Sequence, residues 1–266
     1  MVGLRCKPGM TSPYPQNWIL LRGLGREAAH WGGFLSELQA AFPLASIHTL
    51  DLPGSGRFNR QASPANIQAL VEAVRQQALA EDLLDPPCVL LGLSLGGMVA
   101  WQWLSQFPGD ACAGVLINSS FASLSPFYRR LNWQSYPFMA RIITASTDTE
   151  RERRIVGLVS NLDEKARAEI TRRWAEVRQQ RPMSALNEMR QILAAARFKP
   201  ALQAPSRPVL LLNSRGDRLV SSACSWAIHQ QYGLPIFTHP TAGHDLPNDD
   251  GQWVVRQLQN WLMRSR

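Results

Sequence analysis

The segment from Cys88 to Met98 constrains the fold of this chain more than any other. The apolar run Cys88-Val-Leu-Leu91 is short and stops at Gly92, which predicts a buried strand. Met98, Val99, Trp101, Trp103 and Leu104 then follow at helical spacing. Between them lies Gly92-Leu-Ser-Leu-Gly96, a G-x-S-x-G in a strand-turn-helix setting. So tight a bend leaves no room for a Cβ at its flanking positions, hence the glycines. It pushes the Ser94 side chain out at the carboxyl edge of a sheet, beside the positive end of the following helix. A serine hydroxyl is a weak nucleophile near neutral pH. It needs a general base in reach and an acid behind that base.

The rest of the chain alternates strands and helices. Apolar strand segments are expected at Asn17 to Arg22, Ala45 to Leu50, Ala113 to Asn118, Pro208 to Asn213 and Pro235 to Thr238. Helices are expected from about His30 to Phe42, Ser63 to Leu84, Ser222 to Tyr232 and Asp250 to Arg264. Ser63-Pro64 reads as an N-cap followed by a first-position proline. Strands that are continuous apolar runs belong to a mostly parallel sheet with helices on both faces, an α/β fold. Residues 1–16 read as an irregular tail, and 17–119 with 201–266 as the α/β core. Residues 120–200 break the alternation, with helical patterns and no clear strand, and are expected to form an inserted helical lid.

Composition is that of a globular protein, with 45% apolar and 18% charged residues and no apolar run of membrane-span length. Four widely spaced cysteines without a C-x-x-C are read as reduced thiols in a cytoplasmic protein, with no metal site. The net charge of +8 is uneven. Residues 121–200 carry 13 Arg and 2 Lys against 8 acidic residues, which is nearly all of the excess. Arg151, Arg153, Arg154, Arg172 and Arg173 are candidates for a basic face that binds an acidic partner; the same residues also suit an ordinary solvated helical face. No nucleic-acid motif is present.

Five histidines compete for the role of base. His48 lies within a strand and His229 within a helix, which suits structural roles. His244, in Thr241-Ala-Gly-His-Asp-Leu-Pro247, lies in the loop after the last strand, at the same sheet edge as Ser94. Asp217 is the first acid after the strand ending at Asn213. The order Ser94, Asp217, His244 is the one this architecture uses. Asp245 ranks below Asp217, because adjacent residues seldom aim both side chains at one point. The backbone N–H groups of Leu95 and Leu24 are the candidates for an oxyanion hole.

These elements resemble the α/β-hydrolase superfamily from residue 17 to 266. The residues carrying the resemblance are Gly92-Leu-Ser-Leu-Gly96, Asp51-Leu-Pro-Gly-Ser-Gly56, Gly216-Asp217 and Gly243-His244. Many members carry a helical lid where residues 120–200 fall. The chain departs from the family at Arg22-Gly23, where His-Gly usually opens the oxyanion loop. Length, lid position and basic lid are similar to the family of esterases that cleave the methyl ester of pimeloyl-acyl carrier protein in biotin synthesis. That resemblance implies an acidic acyl carrier protein held by basic lid residues.

The expectation is a serine hydrolase that cleaves a carboxylic ester or thioester through an acyl-enzyme, without metal or organic cofactor. Two alternatives stand beside it. Gly23-Leu-Gly25-Arg-Glu-Ala28, with Asp51 at the end of the next strand, matches much of a dinucleotide-binding fingerprint and would serve an oxidoreductase. A hydrolase fold kept as a non-catalytic binding module is the other. Trp133, Tyr136 and Phe138 are candidates for pocket walls, with core packing the favoured role.

Overall fold

The computed structural model describes residues 14–264. Its centre is a six-stranded sheet, β1 (Asn17–Leu21), β2 (Ser46–Leu50), β3 (Cys88–Leu93), β4 (Ala111–Ile117), β5 (Val209–Ser214) and β6 (Ile236–His239). All pairings are parallel and the order is β2-β1-β3-β4-β5-β6. Every residue of β1, β3, β4 and β5 is buried, which is why these strands read as unbroken apolar runs. The edge strands β2 and β6 are half-buried.

The helices are α1 (Phe34–Ala41), α2 (Ile67–Ala80), α3 (Leu95–Gln106), α4 (Phe127–Arg130), α5 (Tyr136–Ile143), α6 (Asp148–Val159), α7 (Glu164–Gln180), α8 (Ala185–Arg197), α9 (Ala223–Tyr232), α10 (Leu246–Asp249) and α11 (Gly251–Arg264). Period-2 alternation divides the strand side chains between two cores. Ile19, Leu21 and Leu90 pack with α2, α3 and α9 on one face, and Trp18, Leu20 and Leu91 pack with α1 and α11 on the other. Between β4 and β5 the described residues form α4 to α8 and no strand, with a small core of their own around Val156, Ile170 and Trp174.

Several local expectations are corrected. α2 starts at Ile67 and ends at Ala80, and its cap is Asn66, whose side chain accepts from the Ala69 N–H at 2.8 Å. Ser63 is buried and its N–H goes to Asn187 Oδ1 at 2.9 Å, so it serves the contact with α8 instead. His30 sits in a short 3₁₀ turn, Ala28–Trp31, ahead of α1. Cys88 and Cys224 are free and buried, but Cys112 is disulfide-bonded, contrary to the expectation of reduced thiols. Wide spacing in sequence does not exclude proximity in the fold, and the support that reduced thiols lent to a cytoplasmic address is gone. Most of the expected tail, 1–13, including Cys6, lies outside the described residues.

Candidate active site

The strand order reverses between β1 and β3: the chain leaves β1 for β2 on one side and builds β3 to β6 on the other. Loops after those two strands diverge and leave a crevice at the carboxyl edge. Ser94 sits there, at the junction of β3 and α3, with φ 56° and ψ −114°. That left-handed φ is a strained backbone for a non-glycine residue. The turn is held from both sides, by the Ser94 N–H donating to Ile117 O at 2.8 Å and by Ser119 Oγ donating to Ser94 O at 3.0 Å. A Cβ on Gly92 would run into the Gly96 backbone, and one on Gly96 into the carbonyl oxygens of Leu21 and Arg22. Both glycines of the pattern are therefore steric requirements of this turn.

His244 follows β6 and is buried. Its Nδ1 lies 2.7 Å from Asp217 Oδ2. Asp217 leaves β5, and its other oxygen accepts from the Leu219 and Val220 N–H groups at 2.8 and 2.9 Å. Three further contacts locate the histidine loop. Asn118 Nδ2 donates to His244 O at 2.8 Å, Asp249 Oδ2 accepts from Gly243 N at 2.7 Å, and the Asp245 N–H donates to Val159 O at 2.9 Å. Asn118 was not singled out from the sequence. It stands at φ 47° just after β4, and its Oδ1 also accepts from Ser214 N at 2.9 Å. An asparagine that ends a strand carries no local sign of such a role.

A cavity of about 230 Å³ opens at this point, lined by Ser94, His244, Gly23 and Leu24, and by Ile142, Ile155, Leu158, Val159 and Ile192 of the insertion. Its walls are chiefly apolar. Gly23 packs against the serine turn, where an added Cβ would lie 3.3 Å from Ser94 Cβ. Leu95 is the first residue of α3, so its N–H is among those without an intrahelical acceptor. Leu24 lines the cavity and its loop is anchored by the Gly25 N–H donating to Gln191 Oε1 at 3.0 Å.

The imidazole Nδ1 is held by Asp217, and Asp245 is engaged elsewhere. Its carboxylate is gripped by Arg22, Nη1 to Oδ1 at 3.1 Å and Nη2 to Oδ2 at 2.5 Å, with both side chains buried. Burial alone would raise this carboxyl, but Arg22 overrides it and holds the group below the usual carboxylate range. His30 is buried between Arg26 and Trp174, and burial followed by the Arg26 charge holds it well below the ordinary imidazole range. Burial pushes the Cys88 thiol well above the ordinary thiol range, so it is no nucleophile.

The dinucleotide fingerprint is not assembled. The Gly23–Gly25 loop leads into a 3₁₀ turn in place of a helix, and Asp51 is consumed by the N–H groups of Ala28 and Arg57, at 2.8 and 2.9 Å. The basic residues of the insertion are dispersed. Arg151 points inward, lines the cavity and pairs with Glu188 at 2.7 Å. Arg154 pairs with Glu150, and Arg173 lies 3.6 Å from Glu169. Arg153 and Arg172 line a separate groove between α6 and α7, and Arg172 is held by Glu169 and Glu176. Trp133, Tyr136 and Phe138 are exposed, which corrects both roles expected for them. Neighbours one turn on, Met139, Ile142 and Ile143, face the cavity instead.

The model of the alpha/beta hydrolase family matches residues 18–257. The chain belongs to that family. It is similar to the pimeloyl-[acyl-carrier protein] methyl ester esterase of Nitrosomonas europaea, 27% identical over 85% of this chain and 87% of that protein. The protein of the same description from Aeromonas salmonicida is 28% identical over 80% of this chain and 82% of its own. Among solved structures, a putative aryl esterase from Burkholderia cenocepacia superposes with a TM-score of 0.70 at 21% identity, over 96% of this chain and 92% of that one, a likeness of fold. No helix among the described residues is long and apolar enough to cross a membrane.

Proposed function

We propose that this alpha/beta hydrolase cleaves a carboxylic ester or thioester through a Ser94 acyl-enzyme. The observation that carries the reading is the convergence of Ser94 and the Asp217-bonded His244 on one apolar cavity. Ser94 Oγ attacks the acyl carbon while His244 Nε2 takes its proton. The Leu24 and Leu95 N–H groups receive the oxyanion. His244 then protonates the leaving alcohol or thiol, and finally activates the water that frees Ser94. Asp217 keeps Nδ1–H facing itself and stabilises the imidazolium. Apolar walls favour an acyl chain without charge along its length.

The finer substrate follows from the relatives. An acyl-carrier-bound methyl ester suits an apolar chamber walled in part by the insertion, which we read as a lid. The Arg153 and Arg172 groove is the candidate contact for an acidic carrier. A panel of p-nitrophenyl esters of rising chain length, run beside pimeloyl-acyl carrier protein methyl ester, tests both levels. Hydrolysis of the panel that vanishes in Ser94→Ala supports the chemistry, and a strong preference for the carrier substrate supports the finer assignment. Absence of hydrolysis on every ester and thioester contradicts the proposal.

A further inference from the structure

The loop after β1 and the loop after β6 meet through one ion pair, Arg22 with Asp245, 223 positions apart in sequence. Only 2% of each residue is exposed. Arg22 directly precedes Gly23 and Leu24, and Asp245 directly follows His244. The two partners are thus each one or two residues from a group the proposed chemistry uses. The guanidinium also stacks over Trp31, 4.8 Å from the ring centroid, while its Nε is buried without a partner. Two-point contact fixes the plane of the guanidinium against that of the carboxylate. A lysine at position 22 has no such fork.

We propose that Arg22 is a positioning residue: by gripping both oxygens of Asp245 it keeps the peptide bearing His244 in register with the loop bearing the Leu24 N–H. The role rests on the serine-hydrolase reading above and assigns this chain's departure from the usual His-Gly a task. The pair also keeps the surroundings of the base electrically balanced. Asp217 faces His244 Nδ1, Asp249 holds the preceding Gly243 N–H, and the cavity that His244 lines also carries Arg22 and Arg26 from the loop after β1, Arg151 from α6, Arg178 from α7, Glu188 from α8, and Asp245 itself. Arg26 is already paired with Glu152 at 2.6 Å, and Arg218 donates to Gly157 O and Ser160 O. Deleting one member of the Arg22–Asp245 pair leaves the other charge uncompensated beside the base.

The test uses the full-length protein and three variants, Arg22→Gln, Asp245→Asn and the double variant. The readouts are p-nitrophenyl butyrate kinetics against pH, thermal unfolding, and labelling by a fluorophosphonate. Labelled Ser94 in the wild type establishes the reading on which the proposal stands; an unlabelled wild type overturns both. Each single variant is expected to lose about 100-fold in kcat/KM, the scale of an ångström-sized misplacement. The acid limb of the profile moves in opposite directions. Asp245→Asn leaves a bare cation and shifts it to lower pH; Arg22→Gln leaves a bare anion and shifts it to higher pH. The double variant returns the limb to the wild-type position while kcat/KM stays low. If Arg22→Gln does not fold, Asp245→Asn and the double variant carry the same comparison. Wild-type kcat/KM in the folded variants, or a loss of activity with the acid limb unmoved in all of them, overturns the proposal.

Discussion

The Asp217 carboxylate is divided between two tasks: Oδ2 faces His244 Nδ1 at 2.7 Å, while Oδ1 is fixed by the Leu219 and Val220 N–H groups. The second set of bonds leaves the carboxylate one way to point. Asp217→Asn keeps the shape but permits the wrong imidazole tautomer. The expected result is a fall in kcat of about 10³–10⁴ with the fold intact. Ester kinetics beside a thermal melt check it, and a variant within tenfold of wild type removes Asp217 from the role.

Asn118 places the same histidine from the backbone side, through its bond to His244 O. Asn118→Ala removes that donor and leaves Ser214 N without its buried acceptor. A stability loss of about 1–3 kcal/mol is expected, with kcat reduced more than KM is changed. Asn118→Asp retains the acceptor for Ser214 N and separates the two effects. Denaturant melts and initial-rate kinetics on both variants provide the check.

His30 makes stability pH-dependent. Its folded form is held neutral by burial and by Arg26, whereas in the unfolded chain it protonates near pH ~6.5. Below that value the unfolded state binds the extra proton, so stability falls as pH drops toward the lower folded titration point. The slope from this one group approaches about 1.4 kcal/mol per pH unit. Urea unfolding at pH 7 and pH 5 is expected to show a larger loss for wild type than for His30→Gln. Equal losses contradict the assignment.

Gly96 tests the turn itself. An added Cβ meets the carbonyl oxygens of Leu21 and Arg22, which belong to the end of β1 and the loop after it. Gly96→Ala is expected to cost about 1–3 kcal/mol and to lower activity through the displaced Ser94 turn. Gly109→Ala, at a site where a Cβ meets nothing within 4 Å, serves as the control and is expected to stay within about 0.5 kcal/mol of wild type.

Much of the architecture was legible because both faces of the sheet are covered. β1, β3, β4 and β5 are wholly buried and therefore read as plain apolar runs. The serine turn was legible for a steric reason, since its glycines are required at both flanks. What escaped depends on contacts between distant segments. Asn66 and not Ser63 caps α2, and Ser63 is instead tied through its N–H to Asn187, 124 positions away. The pairing of Arg22 with Asp245 and the clip made by Asn118 have no local pattern at all. In α5 the aromatic residues Tyr136 and Phe138 take the outer side and Ile142 the inner one, a division that depends on which face the lid turns to the sheet.

Intact-mass and peptide mass spectrometry of the protein after brief exposure to a fluorophosphonate measures the account's central claim most directly. The predicted result is a single adduct on the peptide containing Ser94, blocked in Ser94→Ala and strongly slowed in a folded His244→Ala. No adduct on the folded wild type, or an adduct at a serine outside the cavity, contradicts it.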